Sequence, residues 1–215
     1  MPDNFTTYGT SLYGKRSREI KSGIVFGAVA TVLLFILAVF VIVNNLVFIK
    51  VKVSGRSMEP TFQTNDIVSV NVYRAPHYGD IIIISGEKSN GDWLIKRAIA
   101  FGGDTVKIEG GYVYLKKAGE SDFGAPLEEK YLAKQGITFY PATTTNTAPY
   151  VFHVAEDQIF YLGDNRQNSS DSRSEFGTCE RSQVVGVVSD FAVKTKGINK
   201  FFDNVANAIR DFFNF

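Results

Sequence analysis

The sequence predicts a mostly β fold, an antiparallel β domain tethered by one N-terminal transmembrane helix and followed by a C-terminal amphipathic helix. Three observations carry that expectation. Residues 24–43 contain no charged side chain. Residues 46–193 hold a succession of short runs rich in Val, Ile, Tyr and Phe, punctuated by turn residues, which is the pattern of antiparallel strands. Residues 197–215 repeat apolar side chains at helical spacing.

Composition bounds the function. A chain of 215 residues with net charge +1 has room for one ordinary domain plus an appendage. It lacks the basic excess of a nucleic-acid binder, so no nucleic-acid partner is expected. The single cysteine, Cys179, excludes an internal disulfide and a cysteine-built metal site. It reads as a small buried apolar residue. His77 and His153 stand alone, without metal-ligand spacing. No metal and no cofactor are expected.

The apolar run is assigned as a transmembrane anchor, residues 23–45. About twenty helical residues at ~1.5 Å each reach ~30 Å, the thickness of a bilayer core. A secretory signal peptide has a shorter apolar core that ends in small residues, whereas this run ends in Asn44-Asn45-Leu46-Val47-Phe48. A buried soluble helix is rarely apolar on every face. Lys15, Arg16, Arg18 and Lys21 crowd the N-terminal flank, opposed weakly by Lys50 and Lys52. Positive flanks stay cytoplasmic. Residues 1–22 are therefore expected to form a short, disordered cytoplasmic tail, and residues 46–196 a β-rich domain outside the cell membrane. The apolar residues 46–49 are expected to reach the lipid headgroups.

Strands are expected over 46–53, 66–73, 80–85, 93–101, 106–109, 112–116, 150–154, 159–162 and 184–193. Gly110-Gly111 should close a tight hairpin. Residues 117–149 are rich in Gly, Pro and Thr and read as a surface insertion or a poorly ordered cap. In the tail, 197–215, Ile198, Phe201, Phe202, Val205, Ile209, Phe212 and Phe213 share one helix face. Two readings of it stand: a helix packed on the sheet, or a helix on the outer leaflet of the membrane.

Three stretches carry candidate chemistry. In the first, Ser57 follows Gly55 and precedes Pro60, so its hydroxyl sits on a bend. In the second, 93–101, alternation puts Leu94, Lys96 and Ala98 on one strand face and Arg97 on the other. A lysine held in a dry site loses its charge readily and can then accept a proton from a hydroxyl. The competing reading is a lysine that snorkels to water or pairs with Asp92 or Asp104. The third stretch, 163–173, packs Asp, Asn, Arg and Ser after an apolar strand. It resembles a calcium loop only superficially, because Arg166 stands where an oxygen ligand belongs. A network that orients an amine has the same composition.

Taken together, four blocks resemble the bacterial type I signal peptidases, membrane-bound serine–lysine proteases. They are Ser57-Met58-Glu59-Pro60-Thr61-Phe62, then Gly79-Asp80-Ile81, then Lys96-Arg97 through Gly103-Asp104, and finally Gly163-Asp164-Asn165-Arg166 with Ser169, Asp171, Ser172 and Arg173. The resemblance covers most of residues 24–190. It implies Ser57 as nucleophile, Lys96 as general base and Ser169 as the hydroxyl that aims the amine. It also implies Asp171 and Arg173 as an ion pair holding the last loop, Met58 as part of the substrate cleft, and the Ser57 N–H as an oxyanion donor. Some members carry a serine where this chain has Gly55, so the second oxyanion donor must be a backbone group or water. The partners implied are preproteins bearing signal peptides. The alternative from another class is a non-catalytic, membrane-anchored paralogue that only binds leader peptides.

Overall fold

The computed structural model describes residues 5–86, 91–141, 145 and 147–189. The amphipathic tail, 197–215, and the end of the last expected strand lie outside the described residues. The described chain divides into two units, residues 1–47 and 48–215.

The first unit is one helix, α1, Phe5–Val47. Its apolar part, Gly23–Val43, is 21 residues long, or ~31 Å at helical rise. Side chains on every side of it are exposed, Phe26 at 76% and Phe35 at 69% among them. Among the described residues this helix is apolar and exposed on every face, the condition that lipid satisfies. Residues 5–22, expected as a disordered tail, are helical and continue into the span. The physical reason is local: nothing between Phe5 and Gly23 is proline, and the Lys, Arg and Glu residues there are good helix formers.

The second unit is antiparallel throughout. Its strands are β1 Phe48–Lys52, β2 Ile67–Asn71, β3 Ile81–Ile84, β4 Leu94–Phe101, β5 Thr105–Glu109, β6 Tyr112–Lys116, β7 Tyr150–His153, β8 Gln158–Leu162, β9 Cys179–Glu180 and β10 Val184–Val188. A seven-stranded sheet runs β1-β2-β10-β3-β4-β8-β9, and a three-stranded sheet runs β6-β5-β7. Every strand expected from the sequence forms, and apart from the far end of the last one no end moves by more than two residues. β9 was not expected: two residues carry no readable alternation.

Alternation explains the core. In β3, Ile81 and Ile83 join Val53, Met58, Phe62, Val68, Val70 and Ile95 on one side. Ile82 and Ile84 join Ala98, Phe101, Ile159, Tyr161, Cys179 and Val187 on the other. A strand buried on both faces is therefore a continuous apolar run. Cys179 is buried and in no disulfide, which fits its reading as a small apolar residue. A third cluster, Ile99, Ala100, Val106, Ile108, Val113, Val154, Phe160 and Leu162, includes residues of both sheets.

The hairpin forms where expected. Gly110 and Gly111 have φ of 59° and 87°, the left-handed pair that a two-residue turn requires. The segment after β6 is a correction. Rather than a loose cap, it sends Glu129, Leu132 and Thr138 inward, each buried. Thr138 N–H donates to Gly111 O at 2.9 Å. A Cβ on Gly111 would stand 2.3 Å from Gly136 O, whereas one on Gly110 would meet nothing. Gly110→Ala is therefore expected to cost about 1 kcal/mol, the left-handed penalty alone. Gly111→Ala should cost about 2–4 kcal/mol, because a steric clash adds to it. Urea unfolding of both variants at equal slope measures the difference.

Candidate active site

Lys96 lies in the centre of β4, opposite Ile82 of β3. Its side chain is buried, with 4% of the residue exposed. The sheet brings it to the turn that follows β1, and Lys96 Nζ lies 2.7 Å from Ser57 Oγ. Burial lowers the Lys96 pKa from 10.5 to about 8, and the more distant negative charges of Asp171 and Asp164 hold it from falling further. Among the described residues no carboxylate pairs with the amine directly, and the amine is buried, so the reading in which Lys96 snorkels or pairs with Asp92 or Asp104 does not hold. Asp104 is engaged elsewhere: it accepts from Phe101 N–H, Ala118 N–H and the Tyr78 hydroxyl. Burial, and then that contact with Asp104, push the Tyr78 hydroxyl up to about 12.

The turn carrying Ser57 is short and tight. Phe62 N–H donates to Met58 O at 2.9 Å, and Glu59 N–H to Arg56 O at 3.1 Å. Met58 and Phe62 face inward and are each 1% exposed. Met58 therefore packs in the core beneath the cleft, not on its wall as the resemblance implied. The turn points its apolar residues away from solvent to close the cluster around Val53 and Val70. Gly55 sits at φ 86°, a conformation that a side chain would strain. The Ser57 N–H makes no hydrogen bond to the described residues, so it is free to donate.

The loop after β8 closes the other side. Asn165 N–H donates to Ser57 O at 2.9 Å, and Asn165 Nδ2 to Arg56 O at 3.1 Å. Gly163 is there because only hydrogen fits: a Cβ would stand 2.2 Å from Ser169 Oγ and 2.6 Å from Ser57 O. Ser169 Oγ is buried and has no hydrogen-bond partner. The contact to the Lys96 amine that the resemblance implied is not made in this structure. An unsatisfied buried hydroxyl costs roughly 1–3 kcal/mol.

Beneath these groups lies an ionic network that sequence reasoning named only in part. Asp164 receives Arg97 Nε at 2.8 Å and Arg97 Nη2 at 2.6 Å, and also accepts from the Thr61 hydroxyl. Arg97 Nη1 donates to Gly79 O at 2.6 Å. One carboxylate thus ties the Ser57 turn, the Lys96 strand and the Gly79-Asp80 turn together. Arg173 Nε and Nη2 donate to Asp171 at 2.9 Å each, and Asp171 Oδ2 accepts from Gly163 N–H at 3.1 Å. Arg166 donates to Glu129 at 3.0 and 2.5 Å, to Thr138 at 2.5 Å and to Gly163 O at 3.0 Å. The Arg97 guanidinium stacks on Tyr131 at 3.7 Å. Arg97, Arg166 and Arg173 balance Asp164, Glu129 and Asp171, all buried. The network is neutral without a charge on Lys96.

Arg97 was expected on the opposite face from Lys96, and Asp164 and Arg166 stood inside a matched block, but no partner for any of them was legible. Glu129 gave no signal, because Glu128-Glu129-Lys130 reads as a solvated charge run. Its pairing depends on contacts made 37 residues apart in sequence.

Ser57, Lys96, Gly55, Arg56, Ser169, Gln167 and Trp93 are among the residues lining a cleft of about 510 Å³. A hydroxyl beside a buried amine, with a free backbone N–H adjacent, can form and stabilise an acyl intermediate. Among the described residues no group of His, Cys, Asp and Glu is placed to hold a metal ion.

The linkage of this site to stability has a definite sign. Between pH about 8 and 10.5 the unfolded chain keeps the Lys96 proton and the folded chain sheds it. Stability relative to Lys96→Met should therefore climb across that window. Denaturant unfolding of both proteins at several pH values measures it; a difference independent of pH would mean that the amine is not desolvated.

Comparison with known proteins agrees with the geometry. A family model described as signal peptidase, peptidase S26, matches residues 26–192. A signal peptidase I of Bacillus amyloliquefaciens is 32% identical over 80% of this chain and 89% of its own length. Signal peptidase IB of Staphylococcus aureus is 32% identical over 80% of this chain and 88% of its own. A crystal structure of a signal peptidase I from Enterococcus faecalis aligns at 30% identity and a TM-score of 0.41, covering 54% of this chain and 98% of that one. With most of its length matched by the family model, and the blocks that match gathered around one hydroxyl and one amine, this chain belongs to the S26 signal peptidase family.

Proposed function

We propose that the chain is a signal peptidase I, a serine endopeptidase that removes N-terminal signal peptides from exported preproteins at the outer face of the cell membrane. The observation that carries this is the 2.7 Å approach of a buried Lys96 amine to the Ser57 hydroxyl. The family relationship and the intact pair both favour catalysis over a paralogue that only binds leader peptides.

In this reading neutral Lys96 accepts the Ser57 proton while Ser57 Oγ bonds to the scissile carbonyl carbon. The oxyanion takes the Ser57 N–H, and a donor that is not the side chain of residue 55 completes the hole. The Lys96 ammonium returns its proton to the departing amine, which leaves as the new N-terminus, and an ester joins the signal peptide to Ser57. Lys96 then takes a proton from water, whose oxygen bonds to the ester carbon, and returns it to Ser57 Oγ as the ester C–O bond breaks, which frees the signal peptide's carboxyl end and restores the neutral amine. Ser169 is the neighbouring hydroxyl that a reoriented amine would use for alignment. Asp171 and Arg173 hold the loop that carries it.

The division of the chain follows the same reading: residues 1–22 cytoplasmic, 23–45 spanning the membrane, 46–196 the peptidase domain and 197–215 an amphipathic helical tail. The basic N-terminal flank supports a cytoplasmic N-terminus.

Ser57→Ala and Lys96→Ala should each abolish cleavage of a preprotein or of a fluorogenic peptide with Ala-x-Ala before the cut. Either purified variant retaining turnover defeats the assignment. The native rate should rise with pH along a limb centred near about 8, as Lys96 loses its proton.

A further inference from the structure

Arg56 immediately precedes Ser57, and its side chain is 69% exposed at the mouth of the cleft. The backbone beneath it is fixed, since Arg56 O accepts from Asn165 Nδ2 and from Glu59 N–H, each at 3.1 Å. Its Nε donates to both Glu59 carboxylate oxygens, at 3.2 and 3.1 Å. Nη1 and Nη2 make no hydrogen bond to the described residues. A guanidinium presents its donors as a planar fork that fits a carboxylate on two edges. Glu59 holds Nε alone, and the terminal amino groups, on a side chain that is exposed and lines the cleft, have no partner among the described residues.

The rest of the cleft has no fixed charge. Its described walls are Ser, Gly, Gln, Asn, Trp, Leu, Ile and Phe, besides a Lys96 that works in its neutral form. The cleft runs on into a second hollow with which it shares Ser54, Trp93, Leu94 and Ile95, but not Arg56. That shared, uncharged stretch suits the small residues that precede a signal-peptide cut. Arg56 lies outside it.

We propose that Arg56 is a specificity-determining residue that favours substrates with Asp or Glu at the first or second position after the scissile bond. The inference rests on the signal-peptidase reading and adds to it the charge class of the cut site's far side. Glu59 tempers the effect by holding Nε. Arg56 is solvent-exposed and Glu59 half-buried, so the preference is modest and sensitive to salt.

The test uses the full-length protein in detergent and two fluorogenic peptides. They share Ala-x-Ala before the cut and differ only in Glu or Gln at the second position after it. The ratio of kcat/KM, Glu peptide over Gln peptide, should be about two- to fivefold in the native protein, the range of an exposed ion pair. It should fall toward unity in Arg56→Gln, drop below unity in Arg56→Glu, and rise in Glu59→Gln. In about 0.5 M salt the native ratio should shrink. A native ratio of one, or an unchanged ratio in Arg56→Gln, overturns the inference while cleavage of the Gln peptide leaves the peptidase reading standing. If neither peptide is cut by the native protein, the peptidase reading fails and this inference fails with it.

Discussion

Everything distinctive about this domain is arranged around an amine that has been taken out of water. Moving an ammonium group into a sheet interior is costly, and the cost is removed when the group gives up its proton. Lys96 resolves the conflict that way, with its pKa lowered from 10.5 to about 8 by burial. The hydroxyl of Ser57 at 2.7 Å supplies the hydrogen-bond partner that a neutral amine still needs. A group tuned so close to neutrality can take and return a proton at working pH, which a surface lysine cannot.

The buried ion pairs around it serve position more than stability. Asp164 is held by Arg97 beside Lys96 and by Thr61 beside Ser57, so one carboxylate sets the spacing of the two reacting groups. Removing a single partner from such a network leaves an uncompensated buried charge. Glu129 and Arg166 extend the same frame into the segment that follows β6, and Arg173 joins it by donating to Arg166 O at 2.7 Å. The segment is a brace for the loop that meets the backbone of Ser57.

Much of this was legible in the chain. Strand alternation, the Gly110-Gly111 turn and the helical apolar run are local signals, and they gave the β domain and its helix. A bend before proline and a lysine inside an apolar strand are local oddities too common to single out Ser57 and Lys96; four blocks in register with a known family did that. What failed was long-range. The resemblance placed Met58 in the substrate cleft, yet its turn rotates it into the core. Glu129 lies in the stretch expected to be a surface insertion or cap, and nothing near it in sequence announces Arg166. The hydrogen bond expected of Ser169 depends on side-chain torsions that no sequence pattern specifies, and here the hydroxyl is left without a partner.

The central claim is that burial, not a specific counter-charge, sets the state of the Lys96 amine. The most direct measurement is a nuclear magnetic resonance titration of the Lys96 side chain, isotopically labelled at the ε position and assigned with Lys96→Met. A midpoint near about 8 agrees with the account. A midpoint at the ordinary lysine value of roughly 10.4 would contradict it, because the amine would then be charged and solvated beside Ser57.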